Sequence, residues 1–167
     1  MRTKMKKATI TLKYGELLYD IQNKTYVRGR SKADGGDGGK AADMQADESE
    51  ECANEIRRGI MHAAADIRGA LAKWLADERD AFSDTLDGGG DIVLALNMHD
   101  NWNAALGATL CSEMHRYVVA KAVGCWFALT NAEEAARWEA AAAQSMERIE
   151  AEANRHAGRV RRAQSPF

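Results

Sequence analysis

Residues 115–154 read HRYVVAKAVGCWFALTNAEEAARWEAAAAQSMERIEAEAN. Their pattern decides the fold class. Tyr117, Val118, Val119, Val123, Cys125, Trp126 and Phe127 spread over most of a helical circumference. Such a helix sits centrally and is touched on several sides. Thr130-Asn131-Ala132-Glu133 then forms a capping-box sequence, a Thr followed three residues later by Glu. It predicts a new helix capped by Thr130 and running to about His156. Ala135, Trp138, Ala142, Met146 (or Ser145), Ile149 and Ala153 recur on it at three-to-four spacing. That is a thin apolar stripe, so this helix buries one face only.

Working upstream, the central helix extends back to about Trp102, with Leu106, Leu110 and Met114 on its inner side and Asp100 or Asn101 as its cap. Before it, residues 92–98, IVLALNM, form a short strand-like run after the Gly88-Gly89-Gly90 turn. A long amphipathic helix is predicted from about Glu48 to Phe82. Ile56, Ile60, Ala64, Ile67, Leu71, and Trp74 or Leu75 mark its buried face, and Glu55, Arg57, Arg58, Asp66, Lys73, Asp77 and Glu78 its wet face. Residues 33–48 are rich in Gly and Asp and lack periodicity, which reads as a flexible acidic loop. At the N-terminal end, residues 8–14 alternate with Ile10, Leu12 and Tyr14 on one face, which predicts a strand able to pair with residues 92–98. A helix over about Glu16–Val27 follows, with Leu17, Leu18, Ile21 and then Tyr26 recurring at roughly helical spacing and Gly29 beside Arg28 and Arg30 at its end.

These elements define a mainly α fold: an antiparallel bundle of three to four helices with a minor β element near the N-terminus. The chain has 167 residues, the size of one domain. Its parts read as a basic strand-and-helix arm (1–32), the loop (33–48), the bundle (49–157) and a basic tail (158–167). Hydrophobic residues are 46% of the sequence, enough for a core, and the one proline is Pro166, so nothing breaks the predicted helices. No apolar run reaches the ~18 residues of a membrane span, and no apolar stretch of signal-peptide type follows the basic start. The three cysteines, Cys52, Cys111 and Cys125, are odd in number, widely spaced and without a CxxC. That predicts free thiols in a reducing, intracellular compartment.

Motifs for chemistry fail one by one. GGDGGKA (35–41) lacks the hydroxyl residue that a phosphate-binding loop needs after its lysine, Ala41 standing there, and no strand precedes it. His62 with Asp66, and Cys111 with His115, share a helix face at i, i+4, but a metal centre needs three or four convergent ligands. No serine lies in a G-x-S-x-G setting, and Cys111 and Cys125 fall among core positions. Trp74, Trp102, Trp126 and Trp138 lie on apolar stripes, which points to core or partner contact. The sequence therefore predicts no catalytic residue, no metal and no cofactor.

Charge is more informative. The net charge is −2, but the first 32 residues are strongly basic against only Glu16 and Asp20. The other end carries Arg155, Arg159, Arg161 and Arg162 with no acid after Glu152. Basic ends suit acidic faces of neighbouring subunits, or the phosphates of nucleic acid. The candidate partner contacts are Ile10, Leu12 and Tyr14 on the strand, which can add to a neighbour's sheet edge, with Arg28, Arg30, Arg155, Arg159, Arg161 and Arg162.

The segments YGELLYDIQNKTYVRGR (14–30), LALNMHDNWNAAL (94–106) and HRYVVAKAVGCWFALTNAEEAARWEAAAAQSMERIEAEANRHAGRVRR (115–162) resemble a protein family of Bacteroides-type phages and prophages encoded among virion structural genes. In outline that family is similar to the small helical head–tail connector, or adaptor, proteins of tailed phages. The likeness touches both ends and the middle of the chain, and its motifs are not catalytic. It implies a non-enzymatic virion component, assembled in the bacterial cytoplasm as a homo-oligomeric ring between capsid and tail. Its partners would be copies of itself and the portal, tail or other connector proteins. The rival reading is a nucleic-acid-binding accessory protein using Lys4, Lys6 and Lys7 with the C-terminal arginines.

Overall fold

The computed structural model describes residues 5–33, 50–76 and 90–157. Strand β1 spans Lys6–Leu12 and helix α1 Tyr14–Ala33. Helix α2 spans Glu50–Ala70 and is followed by a 3₁₀ turn, Ala72–Trp74. Strand β2 is Ile92–Met98, a second 3₁₀ turn is Ala104–Leu106, and helices α3 and α4 span Gly107–Thr130 and Ala132–Asn154. The fold is mainly helical with a small two-stranded antiparallel sheet, as the sequence predicts.

Helix α3 is the centre. Leu110, Met114, Val118, Val123 and Phe127 are fully buried, and α1, α2, α4 and β1 all pack on it. A helix apolar on nearly every side has no wet face and must be surrounded. Helix α2 runs antiparallel to it: Gly59 lies beside Ala122, and Asp66 beside Tyr117. Helix α4 turns back at Asn131, with Lys121 meeting Glu139 and Glu113 meeting Arg148. Helix α1 instead runs parallel to α3, for Asp20 meets His115 near the start of α3 and Arg28 meets Glu134 beyond its end.

The sheet pairs Lys6 with Met98 through Leu12 with Ile92. Alternation places Ile10, Leu12, Leu94, Leu96 and Met98 in the core, and leaves Lys7, Thr9 and Thr11 outside. Lys13 and Asp91 close the open end of this pair with an ion pair at 2.6 Å. The Asp91 carboxylate also accepts from the Tyr14 N–H, the first of α1, at 3.0 Å.

Several boundaries differ from the sequence reading. The strand ends at Leu12, and Tyr14 opens α1, because Asp91 caps the helix there from across the sheet. Helix α1 continues past Gly29 to Ala33. Helix α2 stops at Ala70 rather than near Phe82. Leu71 ends it, and the chain turns so that Leu75 bridges to Leu96 and Ala76 N donates to Ala95 O at 2.9 Å. A sheet edge thus takes the backbone groups that a continuing helix would have kept. Phe82 lies outside the described residues, as does the 33–48 loop apart from Ala33.

Trp102 does not begin the central helix. It is buried before it, bridged to His156, with its indole N–H donating to Glu152 O at 3.1 Å. The Asn103 side chain, not Asp100 or Asn101, caps the following turn. Asn131, not Thr130, caps α4: its side-chain Oδ1 accepts from Glu133 N and Glu134 N at 3.1 Å each. Thr130 is still the last residue of α3. Helix α4 ends at Asn154, and His156 is extended in the bridge to Trp102.

Candidate interaction surfaces

Among the described residues two features have the geometry of contact surfaces, the unpaired edge of β1 and a groove between α1 and α4. The edge follows from the hydrogen-bond pattern. Ala95 O accepts from Ala76 N, and Val93 O accepts from the Arg68 guanidinium at 2.9 Å, both on the side of β2 away from β1. Backbone groups alternate in direction along an antiparallel strand. Ile92, Leu94, Leu96 and Met98 are therefore the residues bonded to β1. Their partners Leu12, Ile10, Ala8 and Lys6 point inward across the ladder. The N–H and C=O groups of Lys7, Thr9 and Thr11 point to the opposite edge, where no described strand pairs with them. An edge of this kind is a template for another strand.

The groove encloses about 840 Å³. Helix α3 forms its floor with Cys111, His115, Val119 and Ala120. Helix α1 makes one wall with Glu16, Asp20 and Lys24, and α4 makes the other with Trp138, Ala141, Gln144, Ser145 and Arg148. Thr11–Lys13 close one end. The groove exists because α3 packs on both α1 and α4 while the two flanking helices stand apart along most of their length. His115 Nε2 lies 2.9 Å from Asp20 Oδ2 and ties α1 to the floor. The buried Glu113 carboxylate holds Arg116 at 3.0 Å and Arg148 at 3.7 Å, so two guanidiniums are gathered at the rim by one acid.

Most of the sequence-derived contact residues do other work. Ile10 and Leu12 are 4% and 2% exposed and form part of the chain's own core, which corrects their assignment to a partner. Leu17 and Ile21 of the expected N-terminal arm are also fully buried, so β1 and α1 are integral to the bundle. Tyr14 is half-buried against the core. Arg28 is exposed and reaches the buried Glu134 at 3.6 Å. Arg30 falls within α1. Arg155 is exposed and pairs with Glu152 at 3.3 Å. Arg159, Arg161 and Arg162 lie outside the described residues. Tyr26, which periodicity places on the apolar stripe of α1, is instead 48% exposed; the other exposed large side chains are Met5, Tyr19, Val27, Val93 and Leu129. Their burial depends on which neighbours reach them, which no local pattern encodes.

Polar clusters in the described residues hold helices together. Tyr117 OH donates to Asp66 Oδ2 at 2.8 Å across α2 and α3. Burial, reinforced by that carboxylate, pushes the Tyr117 phenol well above its usual range. The Glu139 carboxylate accepts from Lys121 Nζ at 2.9 and 3.1 Å, which raises the lysine pKa and joins α3 to α4. Burial pushes the Cys125 thiol up, away from the thiolate a nucleophile requires. His99 lies between Trp74, with ring centres 5.5 Å apart, and His156 at 4.4 Å, its ring tilted against both, and both its ring nitrogens are buried without a hydrogen-bond partner. Among the described residues no three His, Cys, Asp or Glu side chains converge as metal ligands, and no helix is long and apolar enough to cross a membrane.

No protein-family model, no curated protein and no solved structure matches this chain.

Proposed function

We propose that this chain is a non-enzymatic assembly protein, a virion structural component of the head–tail connector type. The observation that carries the assembly reading is the outer edge of β1, unpaired among the described residues. Lys7, Thr9 and Thr11 direct backbone donors and acceptors outward from a strand whose other edge is paired and whose inner face is locked in the core. A strand anchored in this way can be extended by a neighbour without unfolding anything. The connector assignment rests on the resemblance of residues 14–30, 94–106 and 115–162. In the fold, His115–Ala135 spans most of α3, on which α1 and α2 pack, and the turn from α3 into α4.

In this reading the bundle is the body of a ring or stack, and the β1 edge and basic C-terminal residues engage neighbours. The chain acts in the virion after assembly in the bacterial cytoplasm. The test is the mass of the purified protein in solution over a range of concentrations, together with mass spectrometry of purified virions. Multimers, and stoichiometric recovery from virions, are expected. A protein that stays a single chain at every concentration and never occurs in virions would end the proposal.

The nucleic-acid reading draws less support. Lys6 is engaged with Trp102 O at 2.6 Å, and Arg155 with Glu152. Binding through phosphates weakens steeply with salt, so a salt series on duplex DNA separates the two readings.

A further inference from the structure

The groove and one face of α4 are complementary in size and charge. The floor of the groove runs along α3 from Ala108 to Ala120. At the helical rise that is about 18 Å, room for some three turns of another helix. On its α3–α4 side the rim carries a surplus of positive charge, for Arg116 and Arg148 share the single acid Glu113 and their side chains are 62% and 51% exposed, while Glu16 and Asp20 lie on the opposite wall with Lys24. On α4, Ala136, Ala140, Ala143, Glu147 and Glu150 are all exposed and recur at helical spacing. This face is about 21 Å long at the same rise. Its alanines let a second helix axis approach closely. Glu147 and Glu150 make no ion pair among the described residues, unlike Glu133, Glu134, Glu139 and Glu152 on the same helix.

We propose that the groove between α1 and α4 receives the outer face of α4 from a second copy of this chain, with Glu147 and Glu150 of that copy meeting Arg116 and Arg148. The groove side of α4, marked by Ala141 and Arg148, and its outer face point in different directions, since successive residues are rotated by about 100° around the axis. One copy therefore offers a groove to one neighbour and a helix face to another. Such a head-to-tail contact closes into a ring or extends as a stack. The inference rests on the reading that the chain assembles with its own copies, and it assigns the surfaces involved.

Two variants of the full chain test it by analytical ultracentrifugation. Ala141→Trp fills the groove and leaves the outer face of α4 intact. Glu147→Arg/Glu150→Arg reverses the face and leaves the groove intact. Both sites are on the surface, and circular dichroism should show unchanged helix content. The wild type should form multimers. Each variant alone should weaken self-association at least tenfold, and an equimolar mixture should recover pairs and nothing larger, because one good groove and one good face remain. If both variants associate like the wild type, or the mixture forms no pairs, the groove assignment is wrong and the assembly reading stands. If the wild type is a single chain in solution but is recovered from virions, the self-contact again fails and assembly with other proteins remains.

Discussion

The Cα of Ala122 lies 3.1 Å from the position that a β-carbon on Gly59 would take, and the Ala122 Cβ lies 3.2 Å from it. Helices α2 and α3 touch backbone to side chain at this point, with α2 running along the central helix. Glycine costs roughly 1 kcal/mol against alanine inside a helix, so its presence on α2 needs a packing reason, and the close approach supplies one. Gly59→Val should destabilise the protein by about 1–3 kcal/mol through overpacking. Gly59→Ala should fall short of the stabilisation that helix propensity alone predicts. Urea unfolding of both variants measures this, and a Gly59→Val protein as stable as the wild type would refute the close contact.

Tyr117 links the same two helices lower down. Its hydroxyl donates to the Asp66 carboxylate, and burial with that neighbour holds the phenol neutral above its usual range. An unfolded tyrosine ionises near its ordinary value of 10.0, before the folded one does. The contribution to stability is thus complete below that pH and is lost as pH rises above it. Tyr117→Phe should cost about 1 kcal/mol at neutral pH and should make the alkaline loss of stability shallower. Thermal melts between neutral and strongly alkaline pH would report both effects.

His99 predicts the opposite limb. Burial, and after it the neighbouring His156, lower its pKa below the usual 6.5; Lys6 and Lys73 act in the same direction and Asp100 opposes them. The folded state therefore holds His99 neutral while the unfolded state takes up a proton near 6.5. Stability from this group is present above that pH and declines as pH falls toward the lowered value. His99→Phe keeps a ring between Trp74 and His156 and removes the titration. Its melting temperature should change less than that of the wild type from about pH 7 to pH 5; parallel curves would exclude His99 as the source.

The cap of α4 separates two neighbouring residues. Asn131→Ala should cost about 1 kcal/mol, since Glu133 N and Glu134 N lose their acceptor. Thr130→Ala should be close to neutral. If chemical denaturation ranks the two the other way, the capping-box register read from the sequence is the correct one.

The start of α1 depends on a residue 77 positions away, Asp91. Its carboxyl is held below its ordinary range, first by the hydrogen bond from Lys13 and next by that from the Tyr14 N–H. Asp91→Ala should speed amide hydrogen exchange in the first turn of α1 and leave α4 unchanged. Uniform acceleration across both helices would instead indicate global destabilisation.

Much of this fold is legible in the residues. Alternation at Ile10 and Leu12 is enough to predict β1, and the near-continuous apolar surface around Val118, Val123 and Phe127 makes α3 central. The stripe from Ala135 to Ala153 orients α4. These patterns are local, because a side chain's direction on a helix or strand follows from its position in the repeat. Whatever depended on contact between distant residues was decided by tertiary structure. Leu75 leaves the helical path because a sheet edge at Leu96 takes it up, and Tyr14 opens a helix because Asp91 reaches its N–H. Asn131 wins the cap from Thr130 because the turn between α3 and α4 leaves Thr130 helical and Asn131 extended. The groove arises in the same way, from α1 and α4 packing on α3 at a spacing that leaves the two apart. The sequence by itself determined which faces must be buried; only the folded chain decided which surfaces were left over, since exposure is a property of neighbours and not of any residue alone.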